Sequence, residues 1–528
     1  MRDFHFPGRS SVRATEAMAA TSHPLSTLAA IDMLRAGGNA MDAAICAAAV
    51  QAVVEPQSTG IGGDCFVLYA PRGEGEVIAF NGSGRAPADA TLEWYRESGI
   101  AEIPVTGAHS VTVPGAIDAW CQLLRDHGRK GMDAVLAPAI RYAEQGYVVH
   151  DRVAHDWLES VETLAADEHS SRIFLKDGGA LKAGDIHRQP ELAATLRTIA
   201  AKGRAGFYEG EVAEDLVSRL RALGGLHTLE DFSATNGDYV ASVSTSYGGH
   251  EIHQMPPNNQ GLTALIMLNI LSGFDLRSLD PQGAARLHLE IEAGRLAYRD
   301  RDTYLGDQDR VHVPVRELLS ATYAERLRAG ISSDRAMTNL PPVRLPDSDT
   351  VYISIVDSDR NCVSFINSTY HSFGSGVVGP KSGVILQNRG NSFRLIEGHP
   401  NAIAPGKRPM HTIMPGMAMK NGRAVMPFGV MGGAYQPFGH VHLLTNLIDY
   451  GKDPQQALDA PRVFYRDGAI EAERSVSKDA VEGLRRLGHA VRPADEPLGG
   501  GQVVQIDWEK GTLTGASDPR KDGCAIGY

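Results

Sequence analysis

Thr350 is the residue in this chain placed most like a nucleophile. It opens the stretch Thr350-Val-Tyr-Ile-Ser-Ile-Val-Asp-Ser-Asp-Arg-Asn-Cys-Val-Ser-Phe-Ile-Asn-Ser368. A hydroxyl at that point can attack a carbonyl if a base takes its proton. Should the Asp349–Thr350 bond break, the new α-amine is such a base, carried on the same residue as the hydroxyl. A free α-amine has a reference pKa of about 7.7–8.0, so much of it accepts a proton near neutrality. Taken alone, Asp-Thr before a strand is far more often a plain strand start, and the chemical reading needs support elsewhere.

The elements around Thr350 favour exposure of that bond. Asp357-Ser-Asp-Arg-Asn361 is turn chemistry, short polar residues that bond their own backbone. β-branched and aromatic residues alternate on both sides, which predicts a β-hairpin with Thr350 at the start of its first strand. Upstream, Leu340-Pro-Pro-Val-Arg-Leu-Pro-Asp-Ser-Asp349 is too rich in proline for a central strand.

Further along, Met431-Gly-Gly-Ala434 follows the apolar run 424–428. Paired glycines at a strand end can aim backbone N–H groups at one point, as an oxyanion requires, although such pairs are more often simple turns. Arg85, in the loop Asn81–Pro87, is either a solvated arginine or a carboxylate clamp. His440-Val-His442 lies in an apolar helical run, where packing is a better reading than metal ligation. No GxSxG, HExxH or Walker A pattern occurs.

The remaining elements form a scaffold. His23–Gly38 predicts a helix with Pro24 in its first turn and a Gly-Gly stop. Asn39–Glu55 is small and apolar nearly all round, which predicts a buried helix. Thr59-Gly-Ile-Gly-Gly-Asp64 lacks a phosphate-loop pattern and reads as close backbone packing. Strands are expected at 65–70, 77–80 and 503–507, and one running through 383–390 into a loop. Residues 112–300 read as mainly helical, 280–307 as an amphipathic helix, and 436–450 as a helix.

The bulk numbers bound the function. The 528 residues are 43% hydrophobic and 22% charged, an ordinary globular balance able to bury a large core. A net charge of −12 without a basic run argues against nucleic acid and anionic membranes as partners. Five scattered cysteines with no CxxC pair indicate neither a disulfide framework nor a zinc site. No secretory h-region and no membrane-length apolar run is seen, so a cytoplasmic protein is expected.

Read in order, the segments resemble the γ-glutamyltransferase family. The resemblance rests on Gly37-Gly-Asn-Ala-Met-Asp-Ala-Ala44, Val113-Pro-Gly115, Phe207-Tyr-Glu-Gly210, Met255-Pro-Pro257, Tyr304-Leu-Gly-Asp307, Gly432-Gly433 and Gly515-Ala-Ser-Asp-Pro-Arg520. The central stretch looks like the family's Thr-x-x-x-Ser-x-Val-Asp hairpin with the nucleophile first. The resemblance implies an α+β, αββα N-terminal-nucleophile hydrolase sandwich, two stacked, mostly antiparallel sheets between helical layers. It also implies a zymogen that cuts itself between Asp349 and Thr350, giving residues 1–349 and 350–528. These fragments would stay together as a heterodimer able to pair further.

Family roles carry over residue by residue. Thr350 would attack, Gly432 and Gly433 would hold the oxyanion, and Ser368 stands where the family has a threonine bonded to the nucleophile. No metal or organic cofactor is implied. At the substrate positions the family's asparagine, glutamine and aspartate, which hold an α-ammonium, read Tyr370, Arg389 and Ser392. Its serine pair for the α-carboxylate reads His411-Thr412. Its carboxylate arginine aligns with Ser83, with Arg85 two residues on. A cation has replaced a neutral amide and an anion has gone, so an ammonium is disfavoured there. The expected substrate is a small amide with a carboxylate and no α-amine, best matched by oxamate, of purine catabolism. The alternatives are a glutathione hydrolase or γ-glutamyltransferase, a glutaryl-type acylase, or a non-catalytic binding relative.

Overall fold

The structure is a computed structural model, and it describes residues 8–338, 340 and 350–528. Asp349, the cleavage position and the Pro-rich segment after Leu340 lie outside the described residues.

The predicted hairpin forms. Strands Val351–Val356 and Cys362–Ser368 pair antiparallel, with Val351 opposite Asn367 and Val356 opposite Cys362. The turn is closed by Asp357, whose carboxylate accepts from the Asn361 N–H (2.9 Å) and from the Ala40 N–H at a helix start (2.9 Å). Both faces of the hairpin are buried. Ile353, Ile355, Val363 and Phe365 face a helical layer; Tyr352, Val356, Cys362 and Ile366 face a second sheet. The period of 2 thus sorts apolar side chains between two cores, rather than between core and water.

The hairpin is the centre of a seven-stranded sheet ordered Cys524–Gly527, Met18–Thr21, Val351–Val356, Cys362–Ser368, Asp64–Ala70, Ile78–Gly82, Asp238–Ala241. The second seven-stranded sheet runs Val12–Ala14, Thr512–Ser517, Gly500–Asp507, Arg423–Met431, Gly416–Lys420, His250–Gln254, Val243–Tyr247. Every pairing within the two sheets is antiparallel. Phe66, Tyr352 and Ile366 from one sheet meet Met417, Met431 and Val504 from the other. Helices Pro24–Arg35, Ala40–Val54 and Ala116–His127 cover the first sheet. Helices Gly261–Leu271, Ala284–Tyr304 and Gln436–Ile448 cover the second. The architecture is αββα, as expected.

Helix Ala40–Val54 is buried along its whole length, and an Asn39–Asp42 capping box satisfies its first N–H groups. The 59–64 loop packs as closely as its glycines suggest. A Cβ on Gly63 would lie 2.3 Å from the Ser368 carbonyl, and one on Gly62 would lie 2.2 Å from that of Ile385.

The 112–300 region is mainly helical, as read from the sequence, but it also carries the strands Asp238–Ala241, Val243–Tyr247 and His250–Gln254. These are polar, half-exposed strands, two of them at sheet edges, so they carry a weak apolar signal. Two expectations are corrected. Ala284–Tyr304 is not amphipathic: Arg286, Glu290, Glu292 and Arg295 are all buried. They satisfy one another, with Arg286–Glu290 at 3.1 Å and Arg295–Glu292 at 2.7 Å. Residues 383–390 form isolated bridges, Val378 to Ile385 and Gly62 to Leu386, and not a strand. They lead into a 3₁₀ turn at Arg389–Ser392.

Candidate active site

Sheet register builds the site. Ser368 pairs with Asp64, and the hairpin register carried one residue beyond Val351–Asn367 sets Thr350 beside Ser368. All three share the parity of Tyr352, Ile366 and Phe66, which face the second sheet. Thr350, Ser368 and Asp64 therefore form a row across three strand ends, opening into the space between the sheets. All three are buried.

Thr350 Oγ1 and Ser368 Oγ lie 3.2 Å apart, and either hydroxyl can donate. The Tyr370 N–H donates to Ser368 Oγ at 2.8 Å, which holds that hydroxyl in place. Tyr370 itself has φ 82°, a left-handed conformation rare for an aromatic residue. That bend turns the chain over the strand ends. The Tyr370 ring then lies under the Arg389 guanidinium, 3.9 Å from carbon to ring centroid.

Arg389 is fully buried, and its Nη1 donates to Thr412 Oγ1 at 2.9 Å. Among the described residues, its Nε and Nη2 have no hydrogen-bond partner. Burial draws its pKa down to about 10, opposed by Tyr370 and Asp64, so it stays cationic at neutral pH. His411 is buried beside it, with neither ring nitrogen hydrogen-bonded among the described residues. Burial, and then Arg389 and Arg408, hold the His411 pKa well below its usual value, leaving the imidazole neutral.

Asp64 was missed by sequence reasoning. Its Oδ1 accepts from the N–H groups of Gly84 (2.8 Å) and Gly115 (3.1 Å), and its Oδ2 lies 3.5 Å from His411 Nε2. Burial pushes its pKa up to about 6, against the pull of Arg389. An anion therefore remains near Arg389, supplied by the start of strand Asp64–Ala70 and not by position 392. The available signal was an acid at the end of a glycine run that opens a strand. Gln260 was also missed. Its Nε2 donates to the Thr412 carbonyl (2.7 Å) and to the Gly433 carbonyl (3.0 Å), tying the glycine pair to the Arg389 side of the site.

Gly432 and Gly433 follow strand Arg423–Met431 with φ 115° and 54°, both left-handed. A Cβ on Gly432 would lie 2.8 Å from the Gly499 Cα. Two consecutive positive φ values turn successive N–H groups away from the sheet ladder. Two clefts border this turn. One, of about 820 Å³, is lined by Tyr370, Ser392, Thr412 and Ala434, with Arg301 and Arg394. The other, of about 360 Å³, is lined by Gly432, Tyr435, His371 and Ser372.

Arg85 stands apart from this group. It reaches Asp238 at 3.4 Å and the Gly406 carbonyl at 3.2 Å, with Asp307 and Asp309 within 4.0 Å. Its guanidinium is thus committed to carboxylates, whereas that of Arg389 has two nitrogens to spare. Ser83, at the aligned position, bonds Asn81 Oδ1. The His440–His442 pair is buried, His440 against Gln254 (3.1 Å) and His442 against Glu290 (3.4 Å), which matches a packing role.

Residues 26–528 match the profile of the family described as Gamma-glutamyltranspeptidase. The chain belongs to that family. The glutathione hydrolase-like YwrD proenzyme of Bacillus subtilis is 38% identical over 98% of this chain and 99% of its own length. The oxamate amidohydrolase proenzyme of Klebsiella pneumoniae is 36% identical over 98% of this chain and all of its own. Among solved structures, a cephalosporin acylase from Bacillus halodurans superposes with a TM-score of 0.94 at 39% identity, covering 100% and 99% of the two chains. Membership carries the reaction class, hydrolysis of an amide bond, and the fold agrees with it. No helix among the described residues is long and apolar enough to cross a membrane.

Proposed function

We propose that this family member is a self-cleaving amidohydrolase whose nucleophile is Thr350, and whose acyl substrate carries a carboxylate but no α-amine. The observation carrying this reading is the buried Arg389, cationic and short of two hydrogen-bond partners, linked through Tyr370 and Ser368 to Thr350. An uncompensated buried donor of this kind is stabilised by a ligand carboxylate, which Arg receives with two N–H groups.

After cleavage at Asp349–Thr350, the α-amine of Thr350 takes the hydroxyl proton as Oγ1 attacks the amide carbonyl. The N–H groups of Gly432 and Gly433 receive the oxyanion. The proton passes to the departing amine, an ester to Thr350 remains, and water then releases the acid. The cut leaves residues 1–349 and 350–528 as a heterodimer, consistent with relatives described as proenzymes. With oxamate the balance is oxamate plus water giving oxalate and ammonium.

One observation favours a longer acyl group. The 820 Å³ cleft beyond Tyr370 has more room than a two-carbon acid fills, and Arg394 stands in it beside Glu102, Asp467 and the Arg301–Asp302 pair. A glutaryl-type acyl, or the γ-glutamyl group of glutathione, is the second reading. A panel of oxamate, glutathione and a glutaryl amide separates these readings. Oxamate hydrolysis without glutathione turnover supports the first; glutathione turnover with inert oxamate overturns it.

A further inference from the structure

Away from the site, three donors converge on one buried point. Helix Ala284–Tyr304 presents His288 and Glu292 on one face, four residues apart, and His489 reaches them from the loop after helix Lys478–Arg486. His288 and Glu292 are fully buried and His489 nearly so, and one ligand atom from each lies within 4.8 Å of the other two.

The hydrogen bonds around the cluster determine which atoms face inward. His288 Nε2 lies 2.7 Å from the Ser332 carbonyl, which can only accept, so the ring proton belongs on Nε2. That leaves a lone pair on Nδ1, 2.8 Å from His489 Nε2. The Glu292 carboxylate is oriented from outside by Arg295 (2.7 Å) and by the Met337 N–H (2.8 Å). Both arrangements are those that orient metal ligands: an imidazole whose second nitrogen donates to a carbonyl, and a carboxylate that is itself hydrogen-bonded.

We propose that His288, Glu292 and His489 form a binding site for one divalent transition-metal ion, with zinc the best fit to an N₂O donor set. Zinc–nitrogen bonds of about 2.0–2.1 Å in tetrahedral geometry set ligand nitrogens about 3.3 Å apart. The two rings must therefore part by roughly half an ångström from their present contact. Water completes the coordination. The charge of Arg295, stacked 4.7 Å over Tyr465, opposes the ion and sets its affinity below that of a thiolate site.

The position gives the ion a structural consequence. Ser332 and Met337, which hold the two helix ligands, belong to the segment leading towards Thr350, and the Ala336 N–H bonds the Leu487 carbonyl at 2.6 Å. The ion would clamp that segment and the Ala284–Tyr304 helix to the loop bearing His489. Metal binding itself does not require the chain to be cut.

The test uses the full-length protein, stripped with chelator and then titrated with Zn²⁺, with metal content measured after dialysis. Wild type should retain one equivalent and melt at a higher temperature with Zn²⁺ than with Mg²⁺. His489→Ala and His489→Gln, checked for fold by circular dichroism, should lose both effects. Should neither variant fold, Co²⁺ added to wild type decides, and a tetrahedral ligand-field spectrum is expected. No stoichiometric zinc in wild type, unchanged binding in a folded variant, or no such cobalt spectrum would overturn the site and leave a plain imidazole–imidazole hydrogen bond.

Discussion

Arg389 lays its guanidinium 3.9 Å from the centroid of the Tyr370 ring, and both side chains are buried. The ring accepts the cation's face and leaves its edge for polar partners, of which Thr412 fills one place. An amide with a free α-ammonium would place like charge beside that edge. Replacing Arg389 by Gln together with Ser392 by Asp restores a neutral amide and an anion. The double variant should shift the ratio of kcat/KM for γ-glutamyl amides over carboxylate-only amides by about 10²-fold or more towards the former. An unchanged ratio would remove Arg389 from the specificity account.

Ser368 is expected to act on the chemical step rather than on binding. Its Oγ sits 3.2 Å from Thr350 Oγ1 and is fixed by the Tyr370 N–H. Loss of one such hydrogen bond is worth about 1–3 kcal/mol, so Ser368→Ala should lower kcat by roughly 10–100-fold with KM little changed. Ser368→Thr keeps the hydroxyl and should stay within a few-fold of wild type. A rise in KM alone would assign Ser368 to substrate binding.

Gly432 tolerates no side chain, since an added Cβ would meet the Gly499 backbone at 2.8 Å and φ is 115°. Gly432→Ala should re-aim the N–H that the mechanism needs. Activity should fall by about 10²–10³-fold, the usual cost of one oxyanion donor. Near-native kinetics in a folded variant would place the oxyanion elsewhere.

Asp64 makes stability depend on pH. Burial raises its pKa from the ordinary 3.8 to about 6, so the folded protein holds a proton that the unfolded chain has released. The sign follows: the folded state is favoured below the unfolded value, and that advantage is lost as pH rises from about 4 through about 6. The span corresponds to about 3 kcal/mol. Asp64→Asn keeps an oxygen for the Gly84 and Gly115 N–H groups and removes the titration. Denaturant midpoints for the variant should be flatter than wild type between pH 4 and 6. Parallel curves would show that Asp64 does not titrate there.

Much of this was legible in sequence because it rests on local rules. The hairpin follows from alternation around a polar turn, the buried helix at 40–54 from small residues without a polar face, and the tight 59–64 loop from glycine. What escaped depends on pairing across the fold. Asp64 gains its place only through register with Ser368, and Gln260 only by reaching both Thr412 and Gly433. The Ala284–Tyr304 helix reads as amphipathic because its charges look solvated, yet they neutralise one another inside the molecule. The three strands between Asp238 and Gln254 are polar because two of them sit at sheet edges. Arg85 and Arg389 are both single arginines in loops, and only the fold shows which has its carboxylates already in place.

The central claim is that Thr350 becomes an N-terminal nucleophile by cleavage of the bond before it. The most direct measurement is the denatured mass of freshly purified wild type beside Thr350→Ala. Wild type should give two fragments, the smaller beginning at Thr350, and the variant a single intact chain without amidase activity. An intact wild type that still hydrolyses amides, or a Thr350→Ala chain cut at the same bond, would contradict it.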